Sequence, residues 1–216
     1  MVTTAKICGI TTPEALEAAI SGGADYIGLV FYAKSPRHLE IPEAKRLAEL
    51  ARGRAKIVAL TVDADDDTLQ EIVDDVGPDI LQLHGKETPE RVAVIKKQFG
   101  REVIKAIAVA TAKDAERARS YAGAADLILF DAKAPPGSLL PGGNGRTFDW
   151  HALYGVSETL PFMLSGGLGP DNVADAIALT KPVAVDVSSG VESAPGIKDP
   201  DQIRRFLLAV KTAKQT

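Results

Sequence analysis

Short apolar runs rich in Val, Ile and Leu alternate along this chain with longer segments whose apolar positions recur at helical spacing. Eight of these runs read as strands: Ala5 to Ile10, Tyr26 to Phe31, Lys56 to Val62, Ile80 to Leu83, Val103 to Ala108, Leu127 to Asp131, Phe162 to Leu164 and Val183 to Val187. The intervening helices announce themselves. Thr12-Pro13-Glu14, Ile41-Pro42-Glu43, Thr88-Pro89-Glu90 and Gly169-Pro170-Asp171 each place a proline in a first turn beside an acid. Leu47, Leu50 and Ala51 share one helical face, as do Val92, Ile95 and Phe99, and Ile203, Phe206, Leu207 and Val210. The sixth unit departs from the pattern. Its strand leads into a long loop, residues 132–146, with prolines and then Gly142, Gly143 and Gly145, before a short helix around Phe148 to Tyr154.

Eight alternating strand and helix units predict an α/β fold, a single (β/α)8 TIM barrel over residues 1–216, with an open doubly wound sheet as the rival. Alternation within the strands favours the barrel. In the eighth run Val183, Val185 and Val187 form one set and Ala184, Asp186 and Ser188 the other; in the fourth, Leu81 and Leu83 alternate with Gln82 and His84. The polar sets are expected to face inward and to gather at the C-terminal ends of the strands, where barrels of this type carry their active sites.

Composition narrows the function. Hydrophobic residues make up 45% of the 216 and charged residues 25%, ordinary for a globular protein, and a net charge of −4 without a basic patch argues against nucleic-acid binding. No apolar run approaches the roughly 20 residues that span a bilayer, and the N-terminus lacks signal-peptide regions, so no membrane partner and a cytoplasmic location are expected. Cys8 is the sole cysteine, so it forms no internal disulfide. One cysteine and three dispersed histidines offer no metal-ligand spacing. The acidic run Asp63-Ala64-Asp65-Asp66-Asp67 reads as the capped start of a helix, since Thr68 and Asp74 stand where a calcium loop needs Gly and Glu.

The strand ends carry the candidate chemistry. Leu164-Ser165-Gly166-Gly167-Leu168 follows the seventh strand and Asp186-Val187-Ser188-Ser189-Gly190-Val191 the eighth. Gly166, Gly167, Ser188, Ser189 and Gly190 would let backbone N–H groups approach a phosphate, aided by a short helix starting at Ser188 or Ser189. Cys8 and Asp131, from the first and sixth strands, are expected to face each other across the mouth. A thiolate and a carboxylic acid can divide a proton transfer, one taking a proton from carbon and the other giving one to oxygen. Positive charge lowers a thiol's pKa, and Lys6 lies on the same side of the strand as Cys8, deeper in. Arg37, in Ser35-Pro36-Arg37-His38, could pair with a substrate carboxylate; His84 and Asp186 are candidate binders.

These motifs, in order and at the expected strand ends, resemble phosphoribosylanthranilate isomerase of tryptophan biosynthesis. The resemblance runs the length of the chain through Lys6-Ile7-Cys8-Gly9-Ile10-Thr11, Gly28-Leu29-Val30-Phe31, Ser35-Pro36-Arg37, Leu81-Gln82-Leu83-His84-Gly85, Gly142-Gly143-Asn144-Gly145, Phe148-Asp149-Trp150, Leu164-Ser165-Gly166-Gly167-Leu168 and Asp186-Val187-Ser188-Ser189-Gly190-Val191-Glu192. It implies an Amadori rearrangement of the aminoaldose N-(5-phosphoribosyl)anthranilate to the aminoketose 1-(2-carboxyphenylamino)-1-deoxyribulose 5-phosphate, without a cofactor. It further implies Cys8 as general base, Asp131 as general acid, Arg37 on the anthranilate carboxylate and the two glycine loops on the phosphate. The related isomerase of histidine biosynthesis is the nearest alternative, but it carries an aspartate where this chain has Cys8. A non-catalytic binder of phosphorylated ligands would have no need of the acid and base pair. The loop over 132–146 reads as a lid or a stiff flap, and a monomer and a homodimer remain open.

Overall fold

The computed structural model describes residues 2–134, 137, 142, 145 and 147–213. Eight parallel strands close into a barrel in sequence order. They are β1 (Thr4–Cys8), β2 (Tyr26–Phe31), β3 (Lys56–Thr61), β4 (Ile80–Leu83), β5 (Glu102–Val109), β6 (Leu127–Ala132), β7 (Phe162–Leu164) and β8 (Ala184–Val187). Closure comes from the pairing of β1 with β8, in which Lys6 stands opposite Asp186. The largest shift from the sequence expectation is at β1. It begins at Thr4 and ends at Cys8, because Gly9 adopts φ 77°, a left-handed conformation that turns the chain out of the sheet.

Helices α1 (Pro13–Gly22), α2 (Ile41–Ala51), α3 (Asp66–Asp75), α4 (Pro89–Phe99), α5 (Ala112–Glu116), α6 (Val173–Thr180) and α7 (Pro200–Thr212) accompany the strands, and the sixth unit carries a 3-10 turn at Trp150–Leu153. Thr12 and Thr88 cap α1 and α4 by accepting from Ala15 N at 3.2 Å and Arg91 N at 3.3 Å. Asp65 caps α3 through Thr68 N, which accounts for the acidic run. At α6 the expected start is displaced. Asn172 Oδ1 accepts from Gly169 N at 2.8 Å and its amide nitrogen donates to Gly167 O at 3.0 Å, so Gly169-Pro170-Asp171 is spent in the loop and the helix begins at Val173.

The core has two parts. Val58, Ile80, Ile104, Ala106, Leu129, Met163 and Ala184 fill the barrel interior, while Ile7, Leu29, Ile57, Leu81, Phe130, Val185 and their neighbours pack outward against the helices. At the N-terminal end, three carboxylates fix strand register. Asp25, Asp79 and Asp126 each precede an even-numbered strand and accept from the backbone N–H of Ala5, Ile57 and Val103 at 2.8, 2.7 and 2.9 Å. Each also donates its own N–H to that residue's carbonyl. Val183 holds the fourth such place, with the backbone bond to Phe162 but no carboxylate. No helix among the described residues is long and apolar enough to cross a membrane.

Candidate active site

Every residue singled out from sequence opens onto one cleft at the C-terminal ends of the strands: Cys8, Arg37, His84, Asp131, Gly166, Gly167, Asp186, Ser188, Ser189 and Gly190. The site is built on β1 first. Lys6 and Cys8 lie on its inner face, and Gly28 in the neighbouring strand makes room for both. A methyl group there would sit 3.0 Å from Cys8 Sγ and 3.0 Å from Lys6 Nζ. Lys6 is fully buried and donates to Asp186 Oδ1 at 3.0 Å, while Asp186 Oδ2 accepts from Ser165 Oγ at 3.2 Å. Burial opposes the Lys6 charge, but Asp186 and Cys8 beside it prevail and raise its pKa above the ordinary lysine value. For the thiol the balance goes the other way. Burial pushes Cys8 up; Lys6 pulls the thiol down, as its place on the strand suggested, but only partly offsets the burial.

Asp131, buried at the end of β6, accepts from its neighbour's backbone N–H, Ala132 N, through Oδ1 at 2.9 Å. Its Oδ2 lies 3.2 Å from His84 Nε2. The other ring nitrogen of His84, Nδ1, is 3.3 Å from Gln82 Nε2, two residues earlier on the same face of β4. Gly142 covers this pair. A side chain there would run into Asp131 Oδ2 and His84 Nε2, so a larger residue would displace one or both of them. The greater part of the 132–146 loop, and with it the lid reading, lies outside the described residues.

Arg37 is buried and committed, where the sequence suggested a loop arginine free for substrate. Its Nε and Nη2 donate to Glu192 at 2.7 and 2.9 Å. Glu192 opens a hairpin of β9 (Glu192–Ala194) and β10 (Ile197–Lys198) that follows β8. It also accepts from Lys198 Nζ at 2.6 Å, and Lys198 reaches Ser188 O at 2.9 Å and Ser188 Oγ at 3.3 Å. Burial works against the Glu192 charge, yet Arg37 and Lys198 hold its carboxyl down at about 2. One ion cluster thus joins the arginine loop to the loop after β8.

The two glycine loops meet, and the short helix expected after β8 is a single 3-10 turn at Ser189–Val191. Gly166 and Gly167 adopt φ 90° and 64°. A methyl on Gly166 would crowd Ala132, and one on Gly190 would strike Leu168 O, so the two loops lie backbone against backbone. Sequence reasoning left Gln82, Glu192 and Lys198 without a role. Gln82 carried a signal, its shared parity with His84; Glu192 and Lys198 carried none, because Arg37 is remote from Glu192 in sequence and the hairpin that brings Lys198 back onto Glu192 and Ser188 is too short to show a pattern. Among the described residues no group of His, Cys, Asp or Glu could hold a metal ion.

A family model for N-(5'phosphoribosyl)anthranilate (PRA) isomerase matches residues 5–209. The chain is 56% identical over 214 residues to N-(5'-phosphoribosyl)anthranilate isomerase of Rhizobium meliloti, covering 99% of this chain and 100% of that one. It superimposes on crystalline phosphoribosyl anthranilate isomerase of Thermotoga maritima with a TM-score of 0.88 at 38% identity, covering 98% and 99% of the two chains. A phosphoribosyl anthranilate isomerase in complex with reduced 1-(o-carboxyphenylamino)-1-deoxyribulose 5-phosphate superimposes with a TM-score of 0.85 at 34% identity, covering 97% and 99%. With its sequence and its barrel matched over nearly the whole length, the chain belongs to the N-(5'-phosphoribosyl)anthranilate isomerase family, the aldose-ketose isomerases of tryptophan biosynthesis.

Proposed function

We propose that this isomerase converts N-(5-phosphoribosyl)anthranilate with Cys8 as general base and Asp131 as general acid. The observation that supports it best is that both side chains open onto the same cleft as Arg37 and the two glycine loops. Asp131 gives a proton to the furanose ring oxygen, and the ring opens to a protonated imine. That imine draws electrons from the adjacent carbon, so Cys8 can remove its proton to leave an enolamine, which tautomerises to the aminoketose. The imine is the electron sink, so the residues at hand suffice and no cofactor has a part to play. Arg37, with two of its donors on Glu192, turns the rest of its guanidinium to the aryl carboxylate. Gly166, Gly167, Ser188, Ser189 and Gly190 receive the phosphate. His84 supports Asp131, and Asp186 holds Lys6 in place below the thiol.

The cleft needs residues of one barrel only, so a monomer or a homodimer would serve, and we read the location as cytoplasmic. Purified protein should turn over phosphoribosylanthranilate without added metal or nucleotide, followed as a loss of anthranilate fluorescence. Cys8→Ser and Asp131→Asn should each lower kcat by about 10²–10⁴-fold or more, with binding of the product analogue kept within a few-fold. Folded protein with no turnover would refute the reading. A fully active Cys8→Ser would return the thiol to a packing role.

A further inference from the structure

One buried polar atom in the cleft has no hydrogen-bond partner among the described residues. Gln82 is fully buried on β4, and its Oε1 is that atom. Its Nε2 faces His84 Nδ1 at 3.3 Å, and His84 Nε2 faces Asp131 Oδ2 at 3.2 Å. Amide, imidazole and carboxyl form a chain.

Two hydrogen-bonding arrangements satisfy this chain, and they differ by one proton. With the amide nitrogen toward Nδ1, that ring nitrogen accepts, the ring proton sits on Nε2, and Asp131 must be a carboxylate to receive it. With the amide turned over, Oε1 receives a proton from Nδ1. His84 Nε2 then either accepts from the Asp131 hydroxyl or, in an imidazolium, donates to the carboxylate. Either form holds one proton more than the first. A glutamine amide can serve both arrangements by rotation, and the orphaned Oε1 is the atom that rotation would satisfy.

We propose that Gln82 is a positioning residue whose amide sets the proton load of the His84–Asp131 pair, an inference that rests on Asp131 being the acid. In the loaded state Oε1 faces Nδ1. The Asp131 O–H bond breaks as a new O–H bond forms on the substrate's ring oxygen, and the ring carbon–oxygen bond opens with its electrons going to that oxygen. The pair is left with one proton, still on His84 Nδ1; exchange with water moves that proton to Nε2, where it donates to the Asp131 carboxylate, and the amide then turns its nitrogen toward Nδ1. Over the full rearrangement the proton that Cys8 takes from carbon restores the balance.

Other charges face the pair. Cys8 and the Lys6–Asp186 ion pair stand on β1 and β8, with Arg37 after β2 and Lys133 after β6. Behind the backbone, Lys105 of β5 donates to the carbonyls of Leu83 and Gly85 on either side of His84 and pairs with Glu87, and Asp63 lies against Gly85. Substitution at Gln82 changes none of these groups.

The test is the pH dependence of kcat in the full chain. An ionised Glu at position 82 can only accept from Nδ1, so Gln82→Glu should move the basic limb to higher pH. Gln82→Met removes the acceptor of the loaded state and the donor of the unloaded one alike, so the limb should move less than in Gln82→Glu. A limb that stays in place in Gln82→Glu, or that rises as far in Gln82→Met, would overturn the proposal. Nitrogen-15 NMR of the unaltered enzyme gives a measurement free of folding effects. His84 Nδ1 should carry a proton on the acidic side of the limb and lose it on the basic side; an Nδ1 unchanged across the limb would also overturn it. Asp131→Asn tests the underlying reading separately, since its loss of turnover does not depend on Gln82.

Discussion

Cys8 must give up its proton in a place that resists charge, and the identities of its neighbours decide how hard that is. Burial raises the thiol, Asp186 raises it further, and Lys6 and Lys198 work the other way. The reaction rate of free enzyme with iodoacetamide should therefore rise with a midpoint above the ordinary thiol value of about 8.5. Lys6→Met should carry that midpoint higher and Asp186→Asn lower. Equal midpoints in all three proteins would show that Lys6 does not act on the thiol. Sequence parity put Lys6 and Cys8 on one side of the strand, and that much is correct. Parity orders the two along the strand but does not weigh how fully the thiol is buried, and that burial outweighs Lys6 here. Arg37 shows the same boundary. Its loop was legible from Ser35-Pro36-Arg37, but the carboxylate that fixes its guanidinium is 155 positions away.

Among the elements, the β9–β10 hairpin works as a brace. Gly196 packs so tightly against Pro36 that a methyl would strike its carbonyl, and Glu192 ties Arg37 to Lys198 from the same hairpin. Since the folded Glu192 carboxyl titrates at about 2 against an ordinary 4.5, its stabilisation is complete above the unfolded value and is lost as pH falls toward 2. Glu192→Gln should cost about 2–3 kcal/mol at pH 7, more if Arg37 and Lys198 are left without a partner, and the gap to the parent should close between about pH 4.5 and 2. Denaturant titration at several pH values measures it, and a gap that does not change with pH would refute it. A smaller brace sits at the opposite end of the barrel. Asp79→Ala should cost about 1 kcal/mol by freeing the Ile57 N–H, with no change in kcat, which separates stability from function along one strand. Neither brace was read from sequence. The hairpin strands are two and three residues long, too short to show alternation, and an Asp before a strand looks like any turn residue.

For the molecule as a whole, the count of strand and helix units was enough to give the closed barrel, because each unit buries its own apolar face in a repeating way. What the count leaves out is charge placed at a distance. The chain carries a net −4, yet the cleft is close to balanced, because Lys6, Arg37, Lys133 and Lys198 gather in or beside it against Asp131, Asp186 and Glu192. Rates of substrate capture should therefore change little as salt rises, and stopped-flow measurement across ionic strength would show whether they do. The carboxylates at the base of the barrel have a last consequence. They stitch β1 to β2, β3 to β4 and β5 to β6, but Val183 leaves β7 and β8 unstitched, and those two strands share the shortest register in the barrel, Met163 with Ala184 and Leu164 with Val185. The seam that is weakest by construction lies directly under the two glycine loops. If phosphate bridges those loops, it closes from above what no side chain closes from below. Amide hydrogens of β7 and β8 should then exchange fastest among the strands of the empty enzyme and slow the most when ligand arrives, so that substrate completes the barrel it reacts in.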